Sequence, residues 1–178
     1  AAAQPLLLAC QRAFDMGAKP PAGCYYDEEA AQRVIDFFGY LRHLKGKLAK
    51  TPLYLDPWQI FLVSQIYGWK RADGKRLFRT VYIEVPRKSG KSTFCSGLGL
   101  YHVLADNVEG AEVYSAATTR DQAKIVFGDA ADMVRKTPIL SNKLTVYRPS
   151  IVHHPTASKF APLSADADSL EGLNPSAA

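Results

Sequence analysis

Residues 77–93 constrain this chain more than any other stretch, because three signals follow one another there without a gap. Residues 77–85 alternate and are rich in β-branched and aromatic side chains, the pattern of a strand, and Pro86, which cannot donate to a ladder, ends it. Gly90-Lys91-Ser92 comes next, and an apolar helix is expected over residues 91–105. Strand, turn and helix in that order make a phosphate loop, in which backbone N–H groups converge on an anion with a helix N-terminus behind them. Gly90 permits close backbone approach, Lys91 carries charge to the β and γ phosphates, and Ser92 offers a hydroxyl to Mg²⁺. Lys88, Ser89 and Thr93 complete the run that would hold the phosphates. The first glycine of the G-x-x-x-x-G-K-[ST] pattern is Val85 here, so the motif rests on its setting. A basic surface turn is the competing reading.

The rest of the chain supplies the frame. Residues 1–24, with Gly17, Pro20, Pro21 and Gly23, read as an irregular leader. From Asp27 a helix is expected, with Ala31, Val34, Ile35, Phe38 and Leu41 on one face. Asp56-Pro57 pairs an N-cap acceptor with proline at the first helical position and opens a second helix, and Asp73-Gly74 turns the chain. A short strand at 111–116 precedes a helix whose start carries two capping-box spacings, Thr118 with Asp121 and Thr119 with Gln122. Ala123, Val126, Phe127, Ala130 and Val134 form its apolar stripe, and Arg135-Lys136 close it before Pro138. Short strands are expected at 144–147, 151–153 and 159–163. Strands alternating with helices of this length imply an α/β fold with a mainly parallel sheet flanked by helices, whose ligands collect at the carboxyl ends of the strands.

Composition narrows the class. A chain of 178 residues with net charge +5 and pI near 9.1 suits a polyanionic partner or a solvated basic surface equally well. Three cysteines without ligand spacing point to neither a disulfide framework nor zinc. The apolar run at 5–9 is too short to span a bilayer. Gly97-Leu98-Gly99 lies inside a helix and has His102 where a dinucleotide loop needs a third glycine, so it reads as a packing feature. His153-His154 would point to opposite faces of a strand, poor geometry for a metal. Asn142-Lys143-Leu144-Thr145 lacks the aspartate with which GTPases read guanine, which favours adenine.

Together, Leu55-Asp56-Pro57-Trp58-Gln59, the run from Val85 through Pro86-Arg87-Lys88-Ser89-Gly90-Lys91-Ser92-Thr93, and Ala116-Ala117-Thr118-Thr119-Arg120-Asp121-Gln122-Ala123 resemble, in the family's order, the large subunit of tailed-phage terminases. The resemblance covers about residues 27–174 and implies a P-loop ATPase that drives double-stranded DNA into a procapsid through a portal protein, working with a small terminase subunit and assembled as a homo-oligomeric ring. It places the protein in the host cytoplasm, at the portal, with ATP and Mg²⁺ as cofactors. By position, Gln59 matches the glutamine that reads adenine, while Trp58 packs nearby or serves as a core anchor. Arg87 matches an arginine directed at the γ phosphate, with Lys91 as its catalytic companion; Lys88 has a solvated charge as its alternative. Arg120 is implied to touch nucleotide, DNA or a neighbouring subunit, or to be a simple charge at a helix start. Residues 169–175 resemble the approach to the Walker B strand, whose acidic pair is expected just after Ala178. Asp166 and Asp168, the late carboxylates, follow a poor apolar strand and read as a solvated loop. Residues 25–178 would then be the front of an ATPase domain, inactive alone, with the nuclease domain elsewhere. A helicase-like P-loop ATPase and a non-catalytic DNA-binding module are the alternatives.

Overall fold

Capping by Asp27 starts the first long helix: the Ala30 N–H donates to Asp27 Oδ1 at 2.9 Å. The computed structural model describes residues 22–117, 120–163 and 173–178, with Arg120 described in its backbone alone. The chain divides into two units, residues 1–39 with 53–84 and residues 40–52 with 85–178. The expected leader, apart from residues 22–24, and Thr118, Thr119, Asp166 and Asp168 lie outside the described residues.

The first unit holds β1 (Tyr25–Tyr26), α1 (Glu28–Tyr40), α2 (Pro57–Gly68) and β2 (Trp69–Lys70). Helix α1 buries Ala30, Ala31, Val34, Phe37 and Phe38, while Ile35, expected on that face, is half-buried. Strands β1 and β2 pair antiparallel, Tyr26 opposite Trp69, and the two rings meet edge-on at 5.3 Å. Gly68 makes room for this corner, since a Cβ there would lie 2.3 Å from the Tyr26 ring. The turn at Asp73-Gly74 forms as its residues demand: the Gly74 N–H reaches Arg71 O at 2.8 Å, the Lys75 N–H reaches Asp73 Oδ1 at 3.1 Å, and Gly74 sits at φ 76°.

The strand expected over 77–85 does not form. Residues 78–86 join no ladder among the described residues, and Phe78, Val81 and Tyr82 are 43 %, 43 % and 86 % exposed. Alternation describes a segment suited to a half-buried sheet, but a ladder also needs a partner backbone, and none of the described strands pairs with this one.

The second unit carries α3 (Lys91–Leu104), β3 (Glu112–Ala116), α4 (Arg120–Lys136), α5 (Pro138–Ser141), β4 (Thr145–Val146), β5 (Ile151–His153) and β6 (Ser158–Leu163). Its sheet has the order β3-β6-β5-β4, and among these four strands only β3 and β6 run parallel, Val113 opposite Phe160. The mainly parallel sheet expected from the element order is therefore a mixed one. The reason lies in the connections. Helix α4 falls between β3 and β6 and gives the chain length to cross over, whereas β4 and β5 are joined by residues 147–150 and β5 and β6 by the 3₁₀ turn His154–Thr156, lengths that permit only antiparallel return. Helix α4 buries Ala123, Phe127, Ala130, Ala131, Met133 and Val134, and the Phe127 ring meets that of fully buried Phe160 at 5.9 Å. Gly99 brings α3 down onto the same ring, where a Cβ would lie 2.8 Å away, so this glycine of the expected packing pair does serve packing. Past β3 on its other side, the Ser176 N–H donates to Glu112 O at 2.8 Å and the Tyr114 N–H to Ala177 O at 2.9 Å, a parallel pairing centred on Val113 and Ala177.

Candidate nucleotide-binding site

Pro86 leads into a turn closed by the Ser89 hydroxyl, which donates to Pro86 O at 2.8 Å. Lys88 (φ 69°) and Gly90 (φ 76°) both occupy the left-handed region. For glycine this is cheap; for lysine it costs about 1 kcal/mol. Left-handed residues at alternate positions curl successive N–H groups around a concavity, the backbone arrangement of an anion nest. Among the described residues no backbone carbonyl accepts the N–H groups of residues 88–93, and the first helical bond of α3 runs from the Phe94 N–H to Gly90 O at 2.9 Å. These donors stand at the positive end of a 14-residue helix. Arg87, Lys88 and Lys91 are exposed around them, and Ser89, Ser92 and Thr93 are half-buried. The arrangement fits a polyphosphate: amides for its oxygens, cations for its charge, and a hydroxyl at Ser92 suited to Mg²⁺.

The helix behind the loop is fixed by a residue that sequence reading passed over. Ser96 is fully buried, and its hydroxyl lies 2.7 Å from Ser92 O and 2.8 Å from Val126 O, bridging the first turn of α3 to α4. Its only mark in the sequence is a small polar residue four positions after Ser92, on the apolar side of a helix. Beside it, burial pushes the Cys95 thiol above its ordinary value against the opposing pull of the Lys91 charge, which makes it a packing cysteine rather than a nucleophile.

Arg87, Lys88, Ser89, Gly90, Lys91, Ser92 and Thr93 are thus brought together by one turn and one helix start. Arg120 is the first residue of α4. Gln59 belongs to the other unit, in α2, where it is 7 % exposed. There it forms a capping box with Asp56, its Oε1 accepting the Asp56 N–H at 2.9 Å. That bond fixes the side chain whatever else it does. Trp58, one residue earlier, is half-buried.

Comparison with known proteins identifies the family. The family model described as the ATPase domain of the terminase large subunit matches residues 57–178. The chain is 29 % identical over 134 residues to the terminase large subunit of Enterobacteria phage HK97, covering 74 % of this chain and 26 % of that protein. It superposes on the crystal structure of the HK97 bacteriophage large terminase with a TM-score of 0.69 at 26 % identity, over 82 % of this chain and 29 % of that one. The chain therefore spans about a quarter of the length of the relative it matches.

Proposed function

This chain belongs to the terminase large-subunit ATPase domain family, and from that premise we propose that it binds ATP at residues 86–93 as part of a motor that moves double-stranded DNA into a procapsid. One observation carries the reading: uncommitted amides over 88–93, with Lys88 and Gly90 in the left-handed region, ahead of a helix that Ser96 pins in place. In this reading the amides take the phosphate oxygens, Lys91 bridges the β and γ phosphates, Arg87 offsets charge at the γ phosphate, and Ser92 would hold Mg²⁺. When bound there, Mg²⁺ would neutralise charge on the phosphates. Gln59 reads the adenine edge, and Arg120 contributes a cation from the start of α4.

Turnover asks for more than binding. Phosphoryl transfer needs an acidic partner for the metal and a group that orients the attacking water, and we assign both to residues following Ala178 in the full-length protein. Ser176 and Ala177 support this assignment, because they pair parallel with β3 as the lead-in to such a strand would. Portal protein, small subunit and a ring of like subunits are the partners, and the host cytoplasm the setting. Calorimetry with an ATP analogue tests the site: the full-length protein should bind it and Lys91→Ala should lose most of that affinity, while equal binding by the two would remove Lys91 from the site.

A further inference from the structure

We propose that the closed loop from Arg42 to Pro52, set against the C-terminal end of α4, is a cradle for the phosphate backbone of double-stranded DNA. The inference rests on the DNA-motor reading and assigns the surface that touches the polymer. Between Asp36 and Asp56 the chain has no carboxylate, and within that span stand Arg42, His43, Lys45, Lys47 and Lys50. The loop is built, not merely charged. Arg42 pairs with Pro52 in an antiparallel bridge, the His43 N–H donates to Thr51 O at 3.0 Å, the Lys50 N–H donates to His43 O at 2.9 Å, and Gly46 (φ 76°) and Lys50 (φ 71°) make its corners.

Two lysines fasten it to α4. Lys45 Nζ lies 3.5 Å from Asp129, and Lys136 Nζ donates to Leu44 O at 3.2 Å. At that end of α4 Lys136 offsets the negative pole of the helix dipole and Arg135 is paired with Asp132 at 3.1 Å, so the unpaired charge here is that of the loop. Lys47 and Lys50 are exposed, and among the described residues neither has a carboxylate within salt-bridge reach. A stiff loop that presents cations without partners loses little entropy on meeting a polyanion, and each lysine set on a phosphate releases a condensed counterion. The planar side chains of the loop, Arg42 and His43, are half-buried, and none stands between Lys45 and Lys50 to read a base edge, so contact through Lys47 and Lys50 is blind to sequence, as translocation requires.

The test is fluorescence anisotropy of a labelled 30-base-pair duplex with the full-length protein across a salt series. Lys47→Gln/Lys50→Gln should weaken binding roughly 60-fold at 0.1 M salt and lower the slope of log affinity against log salt by about 2, the share of two phosphate contacts. Lys75→Gln/Arg79→Gln removes the same charge from exposed positions of the other unit and should leave the slope near the wild-type value. The loop variant should keep wild-type affinity for a fluorescent ATP analogue and an unchanged Tm. An unaltered slope in the loop variant, which would leave the loop to an acidic protein surface, overturns the proposal; so does an equal fall in both double variants, or a joint loss of DNA and nucleotide binding. Failure of the wild-type protein to bind duplex in a salt-dependent way sinks the DNA-motor reading, and this inference with it.

Discussion

Residues 78–85 and the loop at residues 86–90 that they run into differ in where their backbone groups go. In the loop every turn has a local owner: Ser89 closes on Pro86, Gly90 takes the left-handed corner, and Ser96 and Gly99 lock the following helix to α4 and β6. The lead-in has no such owner among the described residues, and Phe78, Val81 and above all Tyr82 face solvent. The contrast teaches that a turn held by its own residues takes shape wherever it stands, while a strand exists only with a neighbour.

The largest effect that would break this comparison is functional. Under the proposed function, Lys91→Ala in the full-length protein should lower ATP turnover on the order of 10³-fold, since that reading gives Lys91 the charge between the β and γ phosphates and leaves Arg87 at the γ phosphate. Near wild-type turnover would show that the loop, however well formed, is not where hydrolysis occurs.

Next in size is the anchoring of the loop's helix. Gly99→Val would drive side-chain atoms into the Phe160 ring and should cost about 3 kcal/mol, read as a fall in the denaturation midpoint. A neutral result would mean that α3 can slide off β6 and that the loop is less fixed than its lead-in comparison requires. Gly90→Ala should cost roughly 1 kcal/mol for a Cβ at φ 76°, with a larger penalty in nucleotide affinity than in stability. Equal penalties would reduce Gly90 to a helix cap.

Smaller still is the effect at the β3 edge, which has the neighbour that residues 78–85 lack. Glu112 accepts Lys159 Nζ at 2.8 Å, the Tyr114 hydroxyl at 3.0 Å and the Asn174 N–H at 3.3 Å. Foremost the hydrogen bond from Lys159, then those from Tyr114 and Asn174, hold its carboxyl below the ordinary glutamate range. A depressed folded-state value means the contribution to stability is complete above the unfolded value of about 4.5 and is lost as pH falls through the folded one. The Tm gap between wild type and Glu112→Gln should therefore shrink on acidification below about pH 4.5; a gap constant with pH would show that the carboxylate charge plays no part. Smallest of all, Tyr82→Ser should change stability by no more than about 0.5 kcal/mol, and amides 78–85 should exchange quickly beside a protected α3. Slow exchange there would reveal a partner for the segment and erase the contrast.

What the residues settle unaided in this protein is whatever depends on neighbours close along the chain. Asp27, Asp56-Pro57 and Asp73-Gly74 start helices and turn the backbone as read, the apolar stripe of α4 faces inward, and the terminase motifs stand in order, because capping, turn geometry and helical periodicity act over three or four residues. Tertiary structure alone decided the rest. It turned an expected mainly parallel sheet into a mixed one through the short returns around β5, and it left residues 78–86 without a ladder. It also set the carboxylate-free stretch against α4, as the bond from Lys136 to Leu44, 92 positions apart, records. Pairing, register and the meeting of distant charges are relations between segments, and a linear pattern carries only one side of each.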